Sequence, residues 1–392
     1  MALKNNTWKL NQWYDQSVAG NADYSGEIQL WALGNNQFGE LGQNNATKYS
    51  SPVQIPGTTW SKDSFFPSTY GSTTFIIPKT DGTLWAWGDN EHGELGVNNR
   101  TQYSSPVQIG SDTDWSKGGT LSSGAWAVKT DGTLWMWGAN GAGQLGQNEG
   151  PAGGNLKYSS PCQIPGTTWS KCYGAHAASI GKKTDGTLWS WGYNSHGQLG
   201  LNNILNYSSP VQIPGSWSVV DGGGCMGGIK TDGTLWCWGL NEKGQLGQNA
   251  GGDNAMRSSP VQVGSDTTWS KLSMVHKGLG SIKTDGTLWV LGGLGVGGWG
   301  LSLPDSFDGY SSPIQIPGTT WDTLSFSYRG HFATKTDATR WGWGNNDFGS
   351  LGLNNTAQYS SPVQIPGFDP NDWIDVQPIG STGKSTIAIK QL

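Results

Sequence analysis

The side chains most able to do chemistry are four cysteines, five histidines and a set of repeated aspartates. Cys162, Cys172, Cys225 and Cys237 would suit zinc if they came in Cys-x-x-Cys pairs, because one short turn then supplies two thiolates. No such pair exists. Each cysteine instead replaces another residue at a repeated position, Cys162 standing where Val53 and Val107 stand, so buried free thiols are expected. His92 and His196 share one slot of a Gly-rich loop, while His176, His276 and His331 fall in a second region of the repeat. Copies of a slot belong to different repeats and do not converge, so neither a metal nor a catalytic role is expected of them. Gly293-x-Gly295-x-x-Gly298 has the letters of a dinucleotide fingerprint, but no helical pattern follows it. Gly380-Ser381-Thr382-Gly383-Lys384-Ser385 ends like a phosphate-binding loop, yet Pro378 occupies the place of its first required glycine. Asp81, Asp131, Asp185, Asp232 and Asp285 each precede a glycine and read as turn residues. With no paired carboxylates and no nucleophile–base set, the chain reads as a non-enzyme that needs no cofactor.

The elements that position these residues are written as repeats. Lys79-Thr80-Asp81-Gly82-Thr83-Leu84-Trp85-Ala86-Trp87-Gly88 returns at Lys129, Lys183, Lys230 and Lys283, with looser copies at Glu27 and Lys335. The first Trp of each copy is residue 31, 85, 135, 189, 236, 289 or 341, a period of about 52 residues over seven copies. Each copy reads as four strands. The first begins at a Trp, as in Trp269-Ser270-Lys271-Leu272, and the second ends in a motif such as Ser281-Ile282-Lys283. An Asp-Gly hairpin follows, expected as a tight turn with positive φ at both central residues. The third strand is Thr-Leu-Trp-x-Trp-Gly, and the fourth is Ser-Pro-Val-Gln-Ile, whose Pro suits the start of an edge strand. Four-stranded units repeated with both faces apolar imply an all-β, seven-bladed β-propeller of antiparallel blades. Residues 373–390 supply a first and second strand, and 27–56 supply a third and fourth. One blade is therefore expected to join both termini and close the ring, giving a propeller over 27–392 and an N-terminal arm over 1–26.

Composition agrees. Of 392 residues, 62 are Gly and 18 Pro, which argues against long helices. Of the 23 Trp, 19 sit at two repeat phases, leaving Trp8, Trp13, Trp126 and Trp299 outside them. The net charge is −5 and no Lys/Arg run occurs, so no nucleic-acid partner is expected. No run of 18 apolar residues and no signal-peptide core are present. A soluble chain made without export and without membrane insertion is the expectation.

The loop after the Trp strand reads Gly34-Asn35-Asn36-Gln37-Phe38-Gly39-Glu40-Leu41-Gly42, then Gly88-Asp89-Asn90-Glu91-His92-Gly93-Glu94-Leu95-Gly96, and recurs from Gly138, Gly192, Gly239 and Gly344. This Gly-x-Asn-x-x-Gly-x-Leu-Gly pattern resembles the RCC1 (regulator of chromosome condensation) repeat family over residues 27–390. The resemblance implies a seven-bladed propeller. The founder's exchange activity and chromatin binding do not carry over, since no exchange-site residue is matched and no basic tail exists. The near-identical Asn/Gly-rich copies, and the opening Trp8-Lys9-Leu10-Asn11-Gln12-Trp13-Tyr14-Asp15-Gln16, are similar to RCC1-like proteins of marine tailed phages.

In the arm, Leu10, Trp13, Tyr14 and Val18 fall on one face of a possible short helix over 8–19. They either pack on the propeller's own flank or anchor it to a neighbouring subunit; Trp8 beginning a degenerate strand of the closing blade is the other reading. On an antiparallel blade, the loops between strands one and two and between strands three and four share a face, opposite the Asp-Gly turns. Those loops vary: seven residues separate Leu-Gly from Ser-Ser-Pro in four copies, but 147–158 make twelve, and 248–257 and 301–310 ten each. Phe65, Phe66 and Tyr70 interrupt the segment 60–79, and Trp299 and Phe307 mark the sixth repeat. These five are the partner-binding candidates, with core packing as the alternative for each Phe and Trp. The leading expectation is a structural protein of a phage virion, a capsid decoration or a tail or fibre component. It would join other virion proteins through its arm and meet a partner, host receptor or glycan through the variable loops. A soluble inhibitor or adaptor of a host protein is the alternative, and a glycan-binding or glycan-degrading module the third.

Overall fold

Strands of five to seven residues, apolar on both faces and broken by Gly-rich turns, bury themselves only when stacked face to face. The computed structural model describes residues 28–61, 65–66, 73–149, 156–175, 177–252, 255–295, 297–302, 309–327, 330–367, 373–379 and 384–391. It forms seven sheets, numbered here as blades in chain order. Blade one joins the chain ends: its strands run in the order Tyr49–Gln54, Ile28–Gly34, Ser385–Gln391, Trp373–Ile379, all antiparallel, with Leu30 opposite Ile389. Blades four to seven each have four strands in chain order, and successive first strands pack together around the ring.

Blades two and three share a local variation. Blade two has the strands Thr74–Pro78, Leu84–Gly88 and Tyr103–Gln108, with Trp60 bridging to Lys79 where its first strand would begin. Phe65–Phe66 leave that blade and pair in parallel with Gly118 and Gly119 of Trp115–Leu121, the first strand of blade three. Blade three thus gains a fifth strand.

The hairpin turns differ from the expected two-residue form. The amide of Gly82 donates to the carbonyl of Lys79 at 3.0 Å, and that of Lys79 to Thr83 at 2.8 Å. Of the two, only Gly82 has positive φ (79°), so Thr80-Asp81 make an ordinary turn and Gly82 the left-handed bulge after it. Asp81 is retained because its Oδ1 accepts both the amide and the hydroxyl of Thr83, at 2.9 and 2.6 Å.

The core lies between blades. Leu30, Ile387 and Ile389 of blade one meet Phe75, Ile77 and Trp87 of blade two, all essentially buried. Each such side chain contributes on the order of 1.5–3 kcal/mol. The second Trp of the Trp-x-Trp strand crosses the junction: the indole N–H groups of Trp87, Trp191, Trp238 and Trp343 donate to carbonyls of Glu40, Gln144, Gln198 and Gly298 in the preceding blade, at 2.8–3.1 Å. No helix among the described residues is long and apolar enough to cross a membrane.

Candidate functional site

The two faces of the ring are built differently. On the Asp-Gly face each repeat fixes a Lys over tryptophan. Lys283 lies 4.7 Å from the ring of Trp269 and 4.1 Å from that of Trp289, and Lys79, Lys129, Lys183, Lys230 and Lys335 repeat the arrangement. The Trp289 N–H donates to Thr287, whose hydroxyl donates to Asp285. Bonds from the Thr187 and Thr287 classes hold the carboxyls of Asp185 and Asp285 below their ordinary range. These aspartates are thus turn fasteners.

The opposite face carries the loops that vary. The Asn of each Gly-x-Asn loop is a buried clamp: Asn90 Oδ1 accepts the amide of Leu95 at 3.0 Å while its Nδ2 donates to the carbonyl of Thr101 at 2.8 Å. Each loop then reaches the next blade, as where Asn98 N–H meets the Ser159 carbonyl at 2.6 Å. The loops after strands one and three bond each other, Ala139 N–H to Ser123, so they share a face as expected.

On that face lies an apolar arc. Leu156, Ile204, Leu205 and Met256 are exposed by 40, 57, 63 and 37%, and all precede the fourth strands of the successive blades three, four and five. Sequence reasoning missed them. The signal was present two residues before Tyr-Ser-Ser, where Leu156 and Leu205 replace Thr47 and Thr101.

The candidates read from sequence fare unevenly. Trp299 is a correction: it is 3% exposed, packed edge-on to Tyr310 at 5.0 Å, and fills the place that buried Leu246 and Leu351 hold in other blades. It is core and presents no ring to a partner. Phe65 and Phe66 lie on the first strand of blade three, away from the arc in sequence and topology. Tyr70, Phe307, and the arm residues Leu10, Trp13, Tyr14 and Val18 lie outside the described residues, as does His176.

Titratable side chains serve packing. Cys172, Cys225 and Cys237 are buried and Cys162 is half-buried; burial pushes the Cys225 thiol up to about 12. His331 sits edge-on to Phe326 at 4.6 Å with Nε2 3.3 Å from the Leu294 carbonyl, and burial pushes it down to about 3. Asp221 accepts the amides of Met274 and Gly222, at 2.8 and 2.9 Å, which ties blade five to blade six; burial raises it to about 6. Among the described residues no three His, Cys, Asp or Glu side chains group as metal ligands.

Fold and loops together define a seven-bladed β-propeller whose blades are near-identical repeats with a clamped Gly-x-Asn loop. The family model described as "Regulator of chromosome condensation (RCC1) repeat" matches four stretches of the ring, residues 81–117, 185–221, 232–276 and 339–378. The chain is 28% identical over 190 residues to the ultraviolet-B receptor UVR8 of Arabidopsis thaliana, covering 48% of this chain and 42% of that one. It is 29% identical over 197 residues to the X-linked retinitis pigmentosa GTPase regulator of Canis lupus familiaris, covering 49% and 14%. The chain thus spans less than half the length of these curated relatives. Among solved structures, Prp20p of Saccharomyces cerevisiae superposes with a TM-score of 0.78 at 17% identity, covering 94% of this chain and 92% of that one. Human WBSCR16 superposes at 0.77 and 18%, covering 94% and 99%. At these identities the likeness is one of fold.

Proposed function

We propose that this propeller is a non-enzymatic binding scaffold that serves as a structural protein of a tailed-phage particle, on the capsid or in the tail. Its N-terminal arm, through Leu10, Trp13, Tyr14 and Val18, joins it to other virion proteins, and its variable loops meet a partner. The observation that carries the binding role is the arc of Leu156, Ile204, Leu205 and Met256, since apolar side chains gathered on one face of a rigid ring mark contact surfaces. RCC1-repeat proteins bind other proteins: Prp20p is described with binding properties to Gsp1p and histones, and Kap60 binds yeast RCC1. The phage setting is supported by the similarity of the Asn/Gly-rich copies and of the opening segment to phage RCC1-like proteins. Immobilised propeller is exposed to particle proteins and to host lysate, beside the variant Leu205→Asp. The reading expects a particle protein to be captured and Leu205→Asp to reduce its capture at least tenfold. Capture of a host protein alone would favour the adaptor reading, and equal capture by both forms would remove the arc from the account.

A further inference from the structure

Side-chain bonds tie the loops to the outer strands, some within a blade and some across to its neighbour. Gln43, Gln147 and Gln248 reach from the loop to the fourth-strand carbonyls of Gln54, Gln163 and Gln262, at 2.8, 3.1 and 2.8 Å. At four junctions the Ser of one blade bonds the loop Asn of its neighbour: Ser51 to Asn354, Ser105 to Asn44, Ser160 to Asn98 and Ser209 to Asn148, at 3.1–3.3 Å. At two repeats the Lys over tryptophan is neutralised, Lys129 by Asp112 and Asp114 and Lys283 by Asp266.

Between blades four and five these bridges are missing together. Leu201 stands in the Gln slot and has no amide to reach the carbonyl of Gln212. Asn202 and Ser259, the equivalents of the bonded Asn–Ser pairs, make no bond to each other among the described residues. Lys230 carries no ion pair among those residues. The link Pro214-Gly215-Ser216-Trp217 is also one residue shorter than Pro165-Gly166-Thr167-Thr168-Trp169. A cleft of about 440 Å³ opens here, lined by Leu201, Trp236, Pro260 and all the groups left without bridges.

The lining sets the ligand class. Leu201 and Pro260 offer apolar walls that suit the C–H face of a pyranose. Asn202, Gln212 and Ser259 supply amides and a hydroxyl, which a purely hydrocarbon ligand would leave unsatisfied at a cost. The Lys230 ammonium lies 3.6 Å over the Trp236 ring, and no carboxylate is among the lining residues. One cation favours one anionic group on an otherwise polyhydroxylated ligand. We infer that the cleft between blades four and five binds an acidic saccharide, its ring against Leu201 and Pro260, its carboxylate on the Lys230 ammonium that covers Trp236 and its hydroxyls on Asn202, Gln212 and Ser259. This inference does not rest on the proposed attachment through the arm.

Microcalorimetry of the full chain tests it, with the methyl glycosides of glucuronic, galacturonic and N-acetylneuraminic acids beside those of glucose and galactose. At least one acidic glycoside is expected to bind about tenfold more tightly than the neutral ones, the worth of one charge-assisted bond. Leu201→Gln restores the bridging amide found in three other blades, so it is expected to keep the melting temperature and lose the sugar. Lys230→Met is expected to erase the preference for acids. Absence of binding by all three acids, equal affinity for neutral sugars, or unchanged affinity in Leu201→Gln would overturn the assignment.

Discussion

The indole N–H of Trp137 donates to the carbonyl of Glu94 at 2.7 Å, joining blade three to the Gly-rich loop of blade two. The two residues lie 43 positions apart in the chain, so the bond fastens one repeat to the next. It explains why the second Trp of the motif recurs: its ring fills the space between sheets and its one donor meets a loop carbonyl that has no strand partner.

Replacing Trp137 by Phe removes that donor and part of the ring. The expected loss is about 2–4 kcal/mol, from a broken buried hydrogen bond plus a cavity. Leu33 and Leu291 occupy the same slot in blades one and six and are buried there, so the variant should still fold. Denaturant unfolding with the midpoint and slope both recorded reads the difference. A shift below about 0.5 kcal/mol would mean that the junction is held by something else.

Ala338 occupies the bulge position that Gly82 holds in blade two, with φ of +61°. A left-handed alanine costs about 1–2 kcal/mol, partly offset by the greater unfolded-chain freedom of glycine. Ala338→Gly should therefore stabilise the protein by about 0.5 kcal/mol. Gly82→Ala should do the reverse and more strongly, since a Cβ there would stand 2.0 Å from the Thr113 carbonyl oxygen. Thermal unfolding of the pair gives both signs in one experiment.

His331 is neutral in the fold and titrates near 3, against an ordinary value near 6.5, because it is buried. Between those values the unfolded chain binds the additional proton, so stability falls as pH falls from about 6.5 to about 3. His331→Phe adopts the residue of the equivalent position in blade two, where Phe75 stacks on Trp87 at 4.9 Å. The variant should show a shallower loss across that pH range than the parent. Identical pH profiles would show that His331 does not contribute to acid sensitivity.

The ring was legible because its signals are local and repeated. Two Trp phases, an Asp-Gly hairpin and a Gly-x-Asn loop return often enough that one blade predicts the others, and the incomplete ends at 27–56 and 373–390 point to a shared blade. What was not legible depended on geometry between repeats. Phe65–Phe66 interrupt the pattern of 60–79 in the sequence, but nothing local tells that they pair in parallel with blade three. That Trp299 stands where other repeats have Leu was legible in the sequence; that it is buried there, and not offered to a partner, needed the structure. Leu205 drew no notice in the sequence, although it is 63% exposed. The cleft at Leu201 needed comparison of the same slot across blades: an amide is missing, an Asn–Ser bond is not made and the link is one residue shorter, none unusual alone.

The central claim is attachment to a particle through residues 1–26. Particles assembled with either the full chain or a 27–392 truncation are purified, and the chain is quantified by mass spectrometry, with circular dichroism and thermal unfolding of the free proteins alongside. The account predicts that both forms fold alike and that only the full chain is found in particles. A truncation that folds and is still incorporated at the level of the full chain would contradict it.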